Sequence, residues 1–277
     1  MTKLRLMSSN VWWCDTNTEG WENAGVNCSA ITRAVGLRRV YQETMPDVIG
    51  FQECSGRMYH QLMTQLVEND MPYTMLWGRD TPIAYRTDKF ELVDTRFCIY
   101  PEKIPEYEGE FNNLKTKSYN VAVLRVKETG QLLIFGTTHL WYKTNAVHPF
   151  SEEAKAWQIA RLSEEVNALQ EKYGCPAVFV GDFNTWPAGL AVREAVKSGF
   201  THAHDVATEY ATDTTGMHYC YGDRYSGTFR DGGFAHSIDH IMVKGFGEGA
   251  IKRFERYCPD YFLPISDHSP VWIDVTI

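Results

Sequence analysis

The chain has no closely spaced cysteines. Its seven, Cys14, Cys28, Cys54, Cys98, Cys175, Cys220 and Cys258, are scattered and odd in number. That excludes a short-spaced zinc site or redox pair and reads as reduced thiols in a cytoplasmic protein. No run approaches the ~18 apolar residues of a membrane span, and the opening Met1-Thr-Lys-Leu-Arg-Leu lacks the apolar stretch of a signal peptide. Positive charge is also short: 27 lysines and arginines against 35 aspartates and glutamates leave a net charge of −8. This balance argues against gripping nucleic acid through a basic face. It does not exclude nucleic acid as a substrate, because a bound divalent cation offsets local negative charge. Low-complexity tracts and Pro-, Gly- or Ser-rich linkers are missing too, so one domain over residues 1–277 is expected.

What is present suffices for a large core. Of 277 residues, 44% are hydrophobic, and a compact chain of this size buries roughly 75% of its unfolded surface. Strands are expected at residues 4–13, 47–53, 83–86, 91–100, 119–127, 131–140, 238–243, 251–257 and 271–277, with another starting at Ala177. Helices are expected at 30–44, 57–67 and 151–173, with a short one after Pro187. In the first helix, Ile31, Ala34, Val35 and Leu37 share one side, and Arg33, Arg38 and Arg39 fall largely elsewhere. Helices separated by strand pairs indicate a mixed α/β layout. Residues 15–27, 101–116 and 208–233 read as long loops, a length often found at functional rims.

The most informative stretch is Ala177-Val-Phe-Val-Gly-Asp-Phe-Asn184. An apolar, largely β-branched run reads as a buried strand, and it ends in Asp182 and Asn184. Residues two apart on an extended chain point the same way, so both face one pocket. The pattern recurs: strand-like runs lead into Asn10, into Gln52 and Glu53, and into His139, and Ser266-Asp267-His268 precedes the last strand. Asp239 sits among apolar neighbours in Ser237-Ile-Asp-His-Ile-Met-Val243, where an unpaired carboxylate costs several kcal/mol, so a cation, a histidine or both must compensate. Glu53, Asp182, Asp239, Asp267, His139 and His268 supply the parts of such a site. Their recurrence at strand ends points to metal-assisted phosphoester hydrolysis.

Taken in order, Ser9-Asn10-Val11, Gln52-Glu53, Thr138-His139-Leu140, Gly181-Asp182-Phe183-Asn184, Ile238-Asp239-His240 and Ser266-Asp267-His268-Ser269-Pro270 resemble the endonuclease/exonuclease/phosphatase superfamily, which shares the pancreatic deoxyribonuclease-like fold. The stretches Pro46–Glu53 and Thr81–Arg86 look like its bacterial members. The resemblance implies a four-layer α/β sandwich, two mixed β-sheets packed face to face with helices on both outer faces. It implies Glu53 as principal metal ligand, assisted by Asn10 or Asp267, a set of hard oxygen donors suited to Mg²⁺ with Mn²⁺ as a substitute. It makes Asp182 the carboxylate that positions or deprotonates the attacking water, and Asn184 and Asn10 the amides that hold the phosphate. His268 and Asp239 resemble the family's His–Asp pair. His139 resembles a second histidine that contacts the phosphate or assists the leaving group. The roles of acid and base stay open between the two histidines.

Two departures stand out. Bacterial relatives often carry an arginine near the start of the helix after the histidine strand; the nearest match here is Lys155, which offers a point charge rather than a fork. Trp12-Trp13 and the 15–27 loop are unusual and are candidates for setting substrate choice. Trp12, Trp13, Trp141, Tyr142 and Trp186 lie just beyond motif residues, as cleft lining or as ordinary packing. Lys115, Lys117 and Lys143 are read as a solvated face, His202 and His204 as a solvated loop, and His240 as core or surface. As a structural residue, Asp239 would pair with Arg230 or Lys244. The expected activity is hydrolysis of a phosphomonoester or phosphodiester of a small or soluble substrate by in-line water attack. A nuclease acting on DNA or RNA is the alternative, and a catalytically inactive phosphate-ligand-binding protein is a further one. No membrane partner is expected, and the oligomeric state is left open.

Overall fold

Alternation along the first strand sets the plan of the molecule. In β1 (Lys3–Asn10), Leu4 and Leu6 join a core between two sheets, while Met7 points the other way into a core beneath helices. The computed structural model describes residues 1–14, 19–68, 71–210, 219–220, 224–225, 237–257, 259–262 and 264–277. From β1 the chain passes α1 (Glu19–Asn23) and α2 (Ala30–Thr44) to β2 (Val48–Gln52). It then passes α3 (Gly56–Met63) and a π-helical turn at Thr64–Glu68 to the antiparallel pair β3 (Tyr73–Leu76) and β4 (Ile83–Arg86). A second sheet starts with β5 (Phe90–Ile99), β6 (Ser118–Val126) and β7 (Leu132–His139). It crosses over through α4 (Ser151–Tyr173) to β8 (Ala177–Asp182), and α5 (Leu190–Lys197) leads to β9 (Thr201–His202). After α6 (Ala203–Val206), β10 (Glu209–Tyr210) returns to the first sheet, and β11 (Tyr219–Cys220) pairs with β12 (Arg224–Tyr225). Next, β13 (Asp239–Lys244) rejoins the second sheet, and β14 (Ile251–Arg256) and β15 (Val271–Thr276) complete the first.

The strand orders are β10-β14-β15-β1-β2-β4-β3 and β5-β6-β7-β8-β13-β9. Both sheets are mixed: β1–β2 and β7–β8 are parallel, each within a set of antiparallel neighbours. Leu4, Leu6, Val48 and Ile273 from one sheet meet Phe135, Val178, Val180 and Ile241 from the other. Behind the first sheet, Ile49 and Phe51 pack on Ala34, Leu37 and Tyr41 of α2 and on Met58 and Leu62 of α3. Behind the second, Phe179 and Met242 pack on Ile159, Leu162 and Val166 of α4 and on Ala191 and Ala195 of α5. The four-layer sandwich is therefore built by period-two strands that are apolar on both faces. Each such side chain taken from water contributes roughly 1.5–3 kcal/mol. Gly50 marks a close approach of the sheets, since a Cβ there would lie 2.6 Å from the Cβ of Thr137 and 2.7 Å from Cγ2 of Val180.

Several sequence readings are corrected. The stripe of α2 that packs inward is Ala30, Arg33, Ala34, Leu37, Val40 and Tyr41, so Ile31 and Val35 face solvent and Arg33 is buried. The helix is rotated from the apolar reading because the Arg33 guanidinium has carbonyls to satisfy: Nε donates to Ile265 O at 2.7 Å, and Nη2 donates to Trp12 O at 2.6 Å and to Val11 O. It also lies 4.7 Å from the Trp12 ring centroid, which desolvates it against an aromatic face. The strand Tyr73–Leu76 was not anticipated, and α1 lies within the expected 15–27 loop. His202 is buried rather than solvated: its Nε2 is 2.9 Å from His240 Nδ1, and His240 Nε2 is 2.8 Å from Thr185 O. Much of the 208–233 loop, Arg230 and Cys258 lie outside the described residues. Among the described residues, no helix is long and apolar enough to cross a membrane.

Candidate functional site

The inner face of the sandwich changes character along each strand. The positions that carry Leu6, Val48, Phe135, Val180 and Ile241 continue, at the same parity, into Ser8 and Asn10, Gln52, Thr137 and His139, Asp182, and Asp239. A polar belt comes first. Ser8 Oγ donates to Gln52 Oε1 at 3.2 Å, Gln52 Nε2 donates to Thr137 Oγ1 at 2.8 Å, and Thr81 Oγ1 meets Ser118 Oγ across the sheets at 2.9 Å. These contacts satisfy buried polar groups and separate the dry core from the reactive end. Register does the rest: His139 sits opposite Asp182 in the parallel β7–β8 pair, and Asp239 sits opposite Asp182 in the antiparallel β8–β13 pair.

At that end, Asn10 Nδ2 donates to Asp182 Oδ2 at 3.1 Å, and its Oδ1 accepts from Trp12 N at 2.9 Å. The second Asp182 oxygen accepts from Asn184 N at 2.8 Å, and Asn184 Nδ2 donates to Leu140 O at 3.2 Å. Asn184 takes a left-handed φ of 51°, as asparagine tolerates. Lys155, fully buried, holds that turn by donating to Asn184 O at 2.8 Å and Glu152 Oε1 at 2.6 Å. It therefore faces the loop backbone. Glu53 follows β2 at φ 57°, and its Oε2 accepts from Trp13 N at 2.7 Å.

Two histidines flank Asp182. His268 Nδ1 is 2.9 Å from Asp239 Oδ2, and its Nε2 is 3.8 Å from Asp182 Oδ2. Burial works against a charged ring here, but Asp239, with Asp182 and Asp267, outweighs it and holds the imidazole pKa well above its ordinary value. His139 Nε2 is 3.6 Å from Asp182 Oδ2 and 3.9 Å from Glu53 Oε1. Its Nδ1 is 2.6 Å from Oδ2 of Asp80, a buried residue that the sequence reading missed. Lys117, read as solvated, is buried, with Nζ 2.6 Å from His139 Nε2 and 3.2 Å from Nδ1. Both missed residues sit just before an apolar strand, Asp80-Thr81-Pro82 before β4 and Lys117 before β6. That is the very pattern that picked out Asp267. Asp239 pairs with His268, while the proposed structural partner Lys244 donates to Asn167 Oδ1 at 2.6 Å. Of the motif-flanking aromatics, Trp12 and Trp141 are buried packing residues, and Tyr142 and Trp186 are half exposed.

The donors fit a cation. Glu53, His139 and Asp182 each offer one ligand atom, all within 4.8 Å of one another. Asp267 Oδ1 is buried with no hydrogen-bond partner among the described residues, and burial, reinforced by the charge of Glu53, pushes its carboxyl up to about 7. Glu53 itself lies below its ordinary value: burial opposes its charge, but His139, Lys117, His268 and the Trp13 amide outweigh that penalty. Adjacent buried carboxylates with an unspent oxygen are what a divalent ion neutralises.

No curated protein matches the chain in sequence. Solved structures do match its fold. An endonuclease/exonuclease/phosphatase family protein from Bacteroides thetaiotaomicron superposes with a TM-score of 0.75 at 20% identity, covering 99% of this chain and 98% of that one. A mannosyl-6-phosphatase of the same organism gives a TM-score of 0.75 at 20% identity over 99% and 100% of the two chains. D. rerio TDP2, solved with a single-strand DNA product, gives 0.67 at 17% identity over 100% of each. The model of the Endonuclease/Exonuclease/phosphatase family matches residues 7–268. That span runs from β1 to His268 and takes in Asn10, Glu53, Asp182 and Asp239, so this chain belongs to the endonuclease/exonuclease/phosphatase family and is a metal-dependent hydrolase of phosphoester bonds.

Proposed function

We propose that the chain, a single domain over residues 1–277, hydrolyses a phosphomonoester or phosphodiester of a small or soluble substrate in the cytoplasm by in-line attack of water. The observation that carries this reading is where the cations nearest the site lie. Lys117, Lys155 and Arg33 are all buried and directed inward, and the overall charge is −8. A compact anion is served by such an arrangement; a long polyanion needs an exposed basic track. A mannosyl-6-phosphatase among the structural neighbours supports the same reading.

In the proposed mechanism, Asp182, held by Asn10 and the Asn184 amide, orients the attacking water and takes its proton. The side chains of Asn10 and Asn184 hold the phosphoryl oxygens. His268, supported by Asp239, carries positive charge at the reacting group, and His139 faces it from the other side. Glu53, with Asn10 or Asp267, would hold Mg²⁺ or Mn²⁺, which when bound polarises a phosphoryl oxygen and neutralises developing charge. Positioning and electrostatics then supply most of the rate.

The test is a panel with Mg²⁺ or Mn²⁺: sugar phosphates, bis-p-nitrophenyl phosphate, oligonucleotides and plasmid. Turnover of the small esters well above the polynucleotides is expected. Preference for plasmid or oligonucleotide would transfer the assignment to a nuclease, the reading favoured by half-exposed Tyr142 and Trp186. Metal binding without any turnover would leave a binding protein.

A further inference from the structure

Two buried imidazoles that the mechanism does not use, His202 and His240, link β9 and β13 to the turn after β8. His204 N donates to His202 Nδ1 at 3.2 Å, which places the His202 proton on Nε2. That Nε2 donates to His240 Nδ1 at 2.9 Å, which places the His240 proton on Nε2 in turn. His240 Nε2 then donates to Thr185 O at 2.8 Å. Each contact fixes the next, so both rings hold one neutral tautomer and the chain of donors runs one way. A second proton on either ring would set two donors face to face. Burial also keeps both imidazoles below their ordinary pKa.

The turn that receives this chain carries Asn184, whose amide donates to Asp182 Oδ1 at 2.8 Å. Its left-handed φ of 51° is a conformation that persists only where the surroundings over-determine it. Two successive carbonyls are taken by different layers: Asn184 O by Lys155 of α4 at 2.8 Å, and Thr185 O by His240 of β13. Thr185 Oγ1 adds a bond to Glu152 Oε2 at 3.0 Å, on the α4 side. The Phe183 ring, between Asp182 and Asn184, packs on His240 with centroids 5.0 Å apart. An apolar side chain would fill the site of either imidazole without the cost of burying its nitrogens. What the imidazoles supply, and an apolar side chain does not, is the bond to Thr185 O.

We propose that His240 and His202 are positioning residues for phosphoester hydrolysis, fixing the Thr185 carbonyl so that the Asn184 amide keeps Asp182 aimed at the attacking water. This rests on the phosphoester-hydrolase reading and deepens it. Neither ring touches the substrate. They act through the backbone of the turn, from the face of β13 opposite to that of Asp239. Because a small misplacement of a reacting group costs much of its rate advantage, the effect falls on kcat more than on KM.

The experiment uses the full chain with Mg²⁺ and bis-p-nitrophenyl phosphate. His240→Phe keeps a ring and removes both nitrogens, and His240→Gln returns an amide N–H toward Thr185 O. In His240→Phe, kcat is expected to fall at least ~10-fold with KM within about threefold of the parent, and His240→Gln should recover most of the loss. Hydrogen exchange reads the turn itself. The Asn184 amide should lose protection in His240→Phe while Val178 and Val180 of β8 keep theirs, whereas a merely structural ring would lower all three together. A kcat within about twofold of the parent, or Asn184 protection that tracks Val178 and Val180, would overturn the proposal. If His240→Phe does not fold, the parent labelled with ¹⁵N-histidine decides: both rings should show the neutral Nε2–H form at neutral pH, and an Nδ1–H form of either would overturn it. The two readings fail separately. Selective loss of Asn184 protection in a protein that turns over no phosphoester sinks the enzyme reading alone; turnover indifferent to His240→Phe sinks this one alone.

Discussion

Nδ1 of His268 and Oδ2 of Asp239 lie 2.9 Å apart, joining a loop that precedes the last strand of one sheet to the first residue of β13 in the other. The pair closes the mouth of the sandwich, and neither partner is within the same sheet as the other. If the two act as a unit, replacing either lowers kcat/KM by ~10²–10⁴, and replacing both costs little more than the worse single change. Steady-state kinetics on His268→Ala, Asp239→Asn and the double variant checks this. Fully additive losses would mean that the groups work independently.

Glu53 is the carboxylate that both candidate ligand sets share. Glu53→Ala is expected to weaken Mg²⁺ or Mn²⁺ binding more than His139→Ala, read by calorimetry. Chelation of the divalent ion should abolish turnover, and re-addition should restore it. A larger affinity loss in His139→Ala would reverse the assignment of ligands.

The buried His202–His240 pair sets an acid limit. Burial, with His240 and His204 nearby, drives the His202 pKa well below ordinary. Burial also brings His240 down to about 4 against the pull of the Thr185 carbonyl and Asp182. Both folded values lie below the unfolded one, so the unfolded chain binds the extra protons. Stability is therefore full above about pH 6.5 and falls as pH drops toward 4, by up to ~1.4 kcal/mol per pH unit for each ring. Urea unfolding at pH 7, 5.5 and 4.5 should show a shallower slope in a His202→Asn, His240→Asn double variant. An unchanged slope would remove these rings from the account.

Gly50→Ala forces a methyl group between the sheets, against Thr137 and Val180. Both neighbours are fully buried strand residues, so relief requires the sheets to separate. A loss of about 1–3 kcal/mol is expected, measured by urea unfolding. A neutral substitution would show that the sheets slide apart more easily than their packing implies.

The strand-end residues were legible in the sequence because one rule governs them: an apolar run that begins or ends at a polar or charged side chain. Asn10, Glu53, His139, Asp182, Asp239 and His268 all obey it, and the structure brings them to one end of the sandwich. Arg33 and Lys117 were not legible for a different reason. Cationic side chains default to water: nothing local to α2 reveals that carbonyls of Val11, Trp12 and Ile265 wait across the fold, and the place of Lys117 just before β6, though it follows the strand-end pattern, does not reveal the ring of His139. Helical spacing shows that a stripe exists but not which way it turns, so Ile31 and Val35 were placed inward while Arg33 took that face. His202 was misread because its partner, His240, lies 38 residues away on a neighbouring strand.

Asn10, His139, Asp182 and Asp239 occupy strand positions whose orientation follows from the same pleat that fills the interior. Their aim is therefore inherited from hydrophobic packing, and the adjoining turns, through the Trp12 and Asn184 amides and Asp80, only lock it. Changing the rim of this end of the sandwich, by replacing the half-exposed Tyr142 or Trp186 side chains, should redirect what the protein accepts while its hydrolytic hardware stays in alignment.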